Sequence, residues 1–163
     1  MNISKKESER LKGLARDMRH LMIDMGYKCG TSAHFGGGLS MVEILTALYG
    51  NVLNYKAEDP RWEDRDRFIL SKGHACSSLY ACLAIKGFFS KKNLKTYGEN
   101  NSNLMNHVSH KVPGVEFSTG SLGHGLPFAV GKAKGLKLKG INSRVFVLIG
   151  DGELAEGSNF EAM

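Results

Sequence analysis

The sequence has no apolar run near the roughly 18 residues that a membrane-spanning helix needs, so no membrane span is expected. It has no C-x-x-C pair. Its three cysteines, Cys29, Cys76 and Cys82, are odd in number. Two of them fall in a stretch that reads as an apolar helix, where a thiol packs as a small hydrophobe. This argues against a disulfide framework and for a reducing, cytoplasmic setting. The first residues, Met-Asn-Ile-Ser-Lys-Lys-Glu-Ser-Glu, lack the apolar stretch of a secretory signal. There is no G-x-y period, low-complexity tract or internal repeat. Neither G-x-G-x-x-G nor G-x-x-x-x-G-K-[ST] occurs, so a Rossmann site and a P-loop are not supported. No histidine pair has H-x-x-x-H spacing with an acidic partner, which argues against zinc. Aromatic residues do not interleave with the basic ones, so no nucleic-acid surface is expected despite a net charge of +6. A small phosphorylated ligand suits that mild positive charge.

What is present fits one soluble globular domain: 163 residues, 42% hydrophobic and 23% charged. Glycine is in excess, at 20 residues or about 12% against a usual ~7%. Glycines inside patterned segments suggest close backbone approaches of the kind that serve ligands. Apolar spacing of three and four predicts an amphipathic helix over residues 7–25, ended by Gly26 and Gly30. Residues 31–38 (Thr-Ser-Ala-His-Phe-Gly-Gly-Gly) read as a loop. Ser40 and Glu43 have capping-box spacing, so a second helix is expected from near Met41 to Gly50. Arg67–Leu70 reads as a buried strand. Helices are expected over residues 75–85 and, shorter, 90–97. Residues 98–119 form a long polar connection. A helix opens after Gly120-Ser-Leu-Gly-His-Gly125, with Gly131 and Gly135 spaced to let a neighbour approach closely. Residues 144–149 are the clearest strand, and a last helix begins within 153–163. This order predicts an α/β fold, a parallel sheet flanked by helices. Such sheets bind ligands at the carboxyl ends of their strands. Two glycine-containing turns fall there: Ser71-Lys-Gly-His74 and Gly150-Asp-Gly152.

Those turns carry the candidate chemistry. In Gly150-Asp-Gly152 the glycines allow a phosphate to approach the backbone, and Asp151 offers a hard oxygen to Mg²⁺ or Ca²⁺. Gly120–Gly125, at a helix start, is a second candidate phosphate cradle. His34, His74, His107, His110 and His124 sit in loops or at helix starts and are general acid–base candidates. His20, inside the first helix, reads as a packing or surface residue.

Four segments in register carry a resemblance: Thr31–Ser40, Leu70–Ala75, Pro113–Gly125 and Gly150–Gly157. From near Leu11 onward the chain resembles the N-terminal, diphosphate-binding part of transketolase, a thiamine-diphosphate enzyme. Gly-Ser-Leu-Gly-His-Gly looks like the split transketolases, in which two genes encode what one chain holds elsewhere. The resemblance implies that His34 meets the donor sugar near the reacting carbon. It implies that His74 lies by the diphosphate and moves protons. His107 would meet the donor's terminal hydroxyl, although Asn106 and Val108 replace the usual flanks. Gly120, Ser121 and Leu122 would line the cofactor, and His124 stands where many members have glutamine. Asp151 would be the first metal ligand, with Gly150, Gly152 and Glu153 at the diphosphate. Glu156 would be the carboxylate at the dimer interface. The reaction implied is transfer of a two-carbon ketol unit between sugar phosphates, as in the pentose phosphate pathway. The family's second metal ligand, an asparagine, and its pyrimidine-binding domain are expected outside these residues. The 163 residues are thus expected to hold a partial thiamine-diphosphate domain, completed by a C-terminal subunit in a dimer or heterotetramer. The alternatives are an enzyme acting on an unusual sugar and a shortened, non-catalytic subunit.

Overall fold

The computed structural model describes residues 3–30 and 33–163. Thr31 and Ser32, which open the first resembling segment, lie outside the described residues. α1 (Lys5–Cys29) places Leu14, Ala15, Met18, Met22 and Met25 on its buried side. The Ser4 hydroxyl caps it, accepting from the Glu7 N–H, and Gly30 closes it at φ +62°. His20 is exposed on the far face. The helix does not stop at Gly26. A Cβ there would fall 2.1 Å from the Phe35 ring, so this glycine makes room for the next element.

That element is a correction to the expected loop. α2 (Phe35–Leu39) is a short helix built from Phe-Gly-Gly-Gly-Leu, with His34 at its N-cap. Glycine disfavours helix by up to about 1 kcal/mol per residue, so packing, not propensity, decides this segment. The expected capping box does not form. Ser40 closes α2 and donates to the Gly37 carbonyl, while Glu43 pairs with Arg19. α3 (Val42–Ala47) continues into a π-helical turn over Leu48–Val52.

β1 (Arg67–Leu70) pairs in parallel with β2 (Val145–Leu148), Arg67 facing Val145 and Leu70 facing Leu148. The α/β class and parallel sheet expected from the element order are therefore present. β1 is buried throughout, but β2 is only half-buried, contrary to its apolar reading. Asp66 fastens the strand starts, accepting from the N–H groups of Asn54 and Arg144 at 2.9 and 2.8 Å and from the Arg144 guanidinium. Burial alone would raise the Asp66 carboxyl. The Arg144 guanidinium and the two N–H groups outweigh it and hold the carboxyl below its ordinary range.

After a 3₁₀ turn at Gly73–Ala75 comes α4 (Cys76–Ile85), buried from Cys76 to Ala84 and packed against α1 and α3. An all-round apolar helix belongs in a core, and the Cys76 and Cys82 thiols are buried in it. The short helix expected near residue 90 is a 3₁₀ turn, Lys91–Thr96. The long connection is well packed, inserting Leu104, Val108 and Val112 into the core. α5 (Gly125–Leu138) leads to β2. Its Gly131 and Gly135 meet nothing within 4 Å, so the close approach expected there is not made among the described residues. A 3₁₀ turn at Gly152–Ala155 precedes α6 (Gly157–Ala162). No helix among the described residues is long and apolar enough to cross a membrane.

Candidate active site

The site lies beyond the carboxyl ends of β1 and β2, where four separate segments meet. The turn after β1 carries Ser71, Lys72 and His74. α2 brings His34, and its Gly37 lies against the His74 ring, which a Cβ would approach to 3.3 Å. The long connection brings His107, and the turn after β2 brings Asp151. The ring centroids of His34 and His74 are 5.2 Å apart, and those of His34 and His107 are 6.1 Å apart. His34 and His107 are exposed and His74 is half-buried.

Burial lowers the pKa of His74, and neighbouring His34, His107 and Lys72 lower it further. The ring is therefore neutral near neutral pH and can accept a proton. The three rings do not make a metal centre. Among the described residues no group of three or more His, Cys, Asp or Glu side chains is placed to hold an ion by itself.

His107 is held from below by a core residue. Tyr80 of α4 is fully buried, and its hydroxyl donates to the His107 carbonyl and accepts from the Ser109 N–H, at 3.1 and 3.2 Å. The Val108 N–H donates to the Gly73 carbonyl at 3.0 Å, tying the connection to the turn after β1. His110 is exposed and is braced by Ser118. His124 is exposed at the N-cap of α5 and makes no capping bond.

Asp151 is exposed, and its carboxylate makes no hydrogen bond or ion pair among the described residues. Lys72 is the nearby cation. Its ammonium donates to the Ser40 hydroxyl at 2.9 Å. Burial lowers the Lys72 pKa, against the opposing pull of Asp151 and Glu153. Gly120 lies beside His107, whose ring a Cβ would approach to 3.3 Å. Ser121 and Leu122 are exposed beside it. Glu153 differs from the rest. It is 2% exposed, and both its oxygens accept bonds inside the chain. Glu156 is exposed, with its Cβ against Gly123.

An open hard-oxygen ligand, a half-buried lysine, glycine turns and a neutral histidine suit a phosphorylated cofactor with its divalent ion. The profile described as "Transketolase, thiamine diphosphate binding domain" matches residues 11–163. The chain belongs to the transketolase family. It is 45% identical over 155 residues to one subunit of the apulose-4-phosphate transketolase of Actinobacillus succinogenes, covering 94% of this chain and 56% of that protein. It is 38% identical over 149 residues to a 6-deoxy-6-sulfo-D-fructose transketolase subunit of a Clostridium species, covering 91% and 54%. It superimposes on the transketolase of Campylobacter jejuni with a TM-score of 0.88 at 34% identity, covering 99% of this chain and 26% of that one. The chain thus spans about half the length of its split-subunit relatives. Nearly all of it lies within the matched thiamine diphosphate binding domain.

Tyr80, Lys72, Ser40 and Ser71 are not among the site residues expected from the sequence, where Ser40 enters only as a helix cap and Ser71 and Lys72 only as part of a turn. Lys72 and Ser71 had a usable signal, since they stand in a glycine-containing turn directly after a strand. Tyr80 had none, because an aromatic residue in an apolar helix reads only as core.

Proposed function

We propose that this chain is the diphosphate-binding half of a two-subunit transketolase. It would move a two-carbon ketol unit from a ketose phosphate to an aldose phosphate in the cytoplasm, with thiamine diphosphate and Mg²⁺ (or Ca²⁺). A second subunit would supply the pyrimidine-binding domain, in a dimer or heterotetramer. The observation that carries this reading is the convergence of His34, His74 and His107 beside the Gly150–Gly152 turn. When bound, the cofactor would supply an electron sink for carbon–carbon bond cleavage. Asp151 would hold the metal ion by its exposed carboxylate. Lys72, Gly152 and the Gly120–Leu122 backbone would hold the diphosphate. His74 takes and returns a proton as a neutral base, and His34 and His107 hold the donor sugar's hydroxyls. His124 borders the cofactor loop, and Glu156 faces the subunit interface.

A donor outside the common sugar phosphates is a second reading. It is favoured by relatives named for apulose 4-phosphate and 6-deoxy-6-sulfo-D-fructose.

The test mixes the chain with the product of the neighbouring gene, adds thiamine diphosphate and Mg²⁺, and follows ketol transfer and thermal stability. Stabilisation with turnover is expected. No stabilisation by cofactor and metal, with or without the second chain, would favour a non-catalytic subunit. Asp151→Ala is expected to abolish the metal-dependent part of the stabilisation, and an unchanged response would refute its ligand role.

A further inference from the structure

Glu153 is a carboxylate withdrawn from water without an ion pair. It is 2% exposed, and none of the ion pairs among the described residues includes it. A buried charge persists only when its oxygens are satisfied by hydrogen bonds. Here the donors come from three different places. Oε1 accepts from the Ser71 hydroxyl at 2.5 Å and from the Gly123 N–H at 3.0 Å. Oε2 accepts from the Gly150 N–H at 3.0 Å. Ser71 is itself fully buried and accepts from the Gly125 N–H at 3.0 Å. Asn159, also fully buried, donates to the Glu153 carbonyl at 2.6 Å.

The bonds span the gap between the two glycine segments. On one side is the loop that ends in Gly123 and runs into α5. On the other is the turn that presents Asp151. Gly123 has φ +82°, so its conformation is one that few side chains tolerate, and the Ser158 hydroxyl holds its carbonyl at 2.7 Å. A Cβ on Gly125 would fall 2.3 Å from the Ser71 hydroxyl, so the loop fits against the end of β1 with no room to slide.

We infer that Glu153 is a positioning residue. Its single carboxylate fixes the Gly120–Gly123 loop and the Gly150–Asp151 turn at one separation before any ligand arrives. The inference rests on the reading of these two segments as a diphosphate cradle. It assigns Glu153 no contact with the cofactor, because the side chain is buried and both its oxygens turn inward onto bonds within the chain. The second acceptor oxygen matters as well as the shape. Glutamine has one acceptor oxygen and a donor nitrogen, so in Glu153→Gln either Gly123 or Gly150 would face an N–H with an N–H. A preset site binds more tightly than one its ligand must first assemble.

The test uses the chain with its second subunit, the probe thiamine diphosphate with Mg²⁺, and a temperature well below every variant's melting point. Glu153→Gln is expected to raise the cofactor dissociation constant about tenfold to a hundredfold, the range seen when groups supporting a ligand's direct contacts are removed. Turnover at saturating cofactor is expected to stay near that of the parent protein. Ser71→Ala, which leaves both backbone bonds in place, is expected to weaken binding less. In the chain's own amide NMR spectrum, the Gly123 and Gly150 signals should move and exchange faster in Glu153→Gln, while that of distant Gly13 stays put. Parent-like affinity in Glu153→Gln would overturn the inference, whatever the loss in melting temperature. If that variant fails to fold, parent-like affinity in Glu153→Asp, whose carboxylate is drawn back by one methylene from Gly123 and Gly150, would overturn it. If the parent protein binds no cofactor, the proposed function falls. Unmoved Gly123 and Gly150 signals would then overturn the inference separately.

Discussion

Replacing His74 by glutamine is expected to slow ketol transfer about 10²- to 10⁴-fold, the usual span for loss of a positioned acid–base group. The fold should remain. His74 is half-buried, its ring lies beside those of His34 and His107, and it serves as no core residue. Glutamine keeps a polar group of similar reach but takes up no proton near neutral pH. The same residue predicts a pH effect on stability. Burial, then the neighbouring histidines and Lys72, lower the His74 pKa in the folded chain. The unfolded chain therefore binds a proton at a higher pH than the folded chain does. His74 costs nothing above the ordinary histidine value of about 6.5. As pH falls from there towards the lowered folded value, the unfolded state gains a proton that the folded state refuses, and stability is lost. Glu→Gln-type changes elsewhere would not remove this loss; His74→Gln should. Thermal denaturation of both proteins between about pH 7 and about pH 5.5 checks this. An equal fall in melting temperature in the two would contradict the assignment, and turnover within a fewfold of the parent would contradict the catalytic one.

Gly73→Ala is expected to be the most damaging small substitution. The added Cβ would sit 2.2 Å from the Thr119 carbonyl oxygen and 2.5 Å from its carbon. Both are backbone atoms, so no rotamer change relieves the clash. Thr119 is not free to retreat, because its hydroxyl donates to the Leu70 carbonyl. The Gly73 carbonyl in turn accepts from Val108, next to His107. Overpacking usually costs about 1–3 kcal/mol, and with backbone atoms on the receiving side the upper end of that range is expected, against a usual total of about 5–15 kcal/mol. Urea denaturation should show this as a large fall in midpoint, or as failure to accumulate folded protein. A change below about 0.5 kcal/mol, the range of a harmless surface substitution, would mean that the Thr119 segment is not docked as described.

Much of this arrangement was legible in the sequence. Arg67–Leu70 and residues 145–148 are short apolar runs bounded by turn residues, and the glycine turns that follow them mark the site end of the sheet. The three histidines could be named because each stands in a loop or turn rather than inside an element. Their convergence could not be read, because it depends on contacts between residues far apart in the chain. α2 was illegible for a related reason. Three consecutive glycines oppose a helix locally, and the Phe35 ring on Gly26 and the His74 ring on Gly37 override that preference. The Ser40–Glu43 spacing misled because Arg19, from α1, takes the glutamate away. The resemblance puts Glu153 at the cofactor from its place in Gly150–Gly157, and spacing does not reveal that the side chain turns inward.

The two glycines inside α1 bear differently on any effort to make the chain more robust. Gly13 is helical with nothing within 4 Å of where a Cβ would go. Filling it should gain about 0.5–1 kcal/mol of helix propensity, measurable as a higher melting temperature with turnover unchanged. Gly26 obeys the same propensity scale and would fail the same treatment, because Phe35 already occupies the space. A stabilising library scored on helix formers alone would treat the two as equals. In this chain one is spare capacity, while the other is the seat of the segment that carries His34.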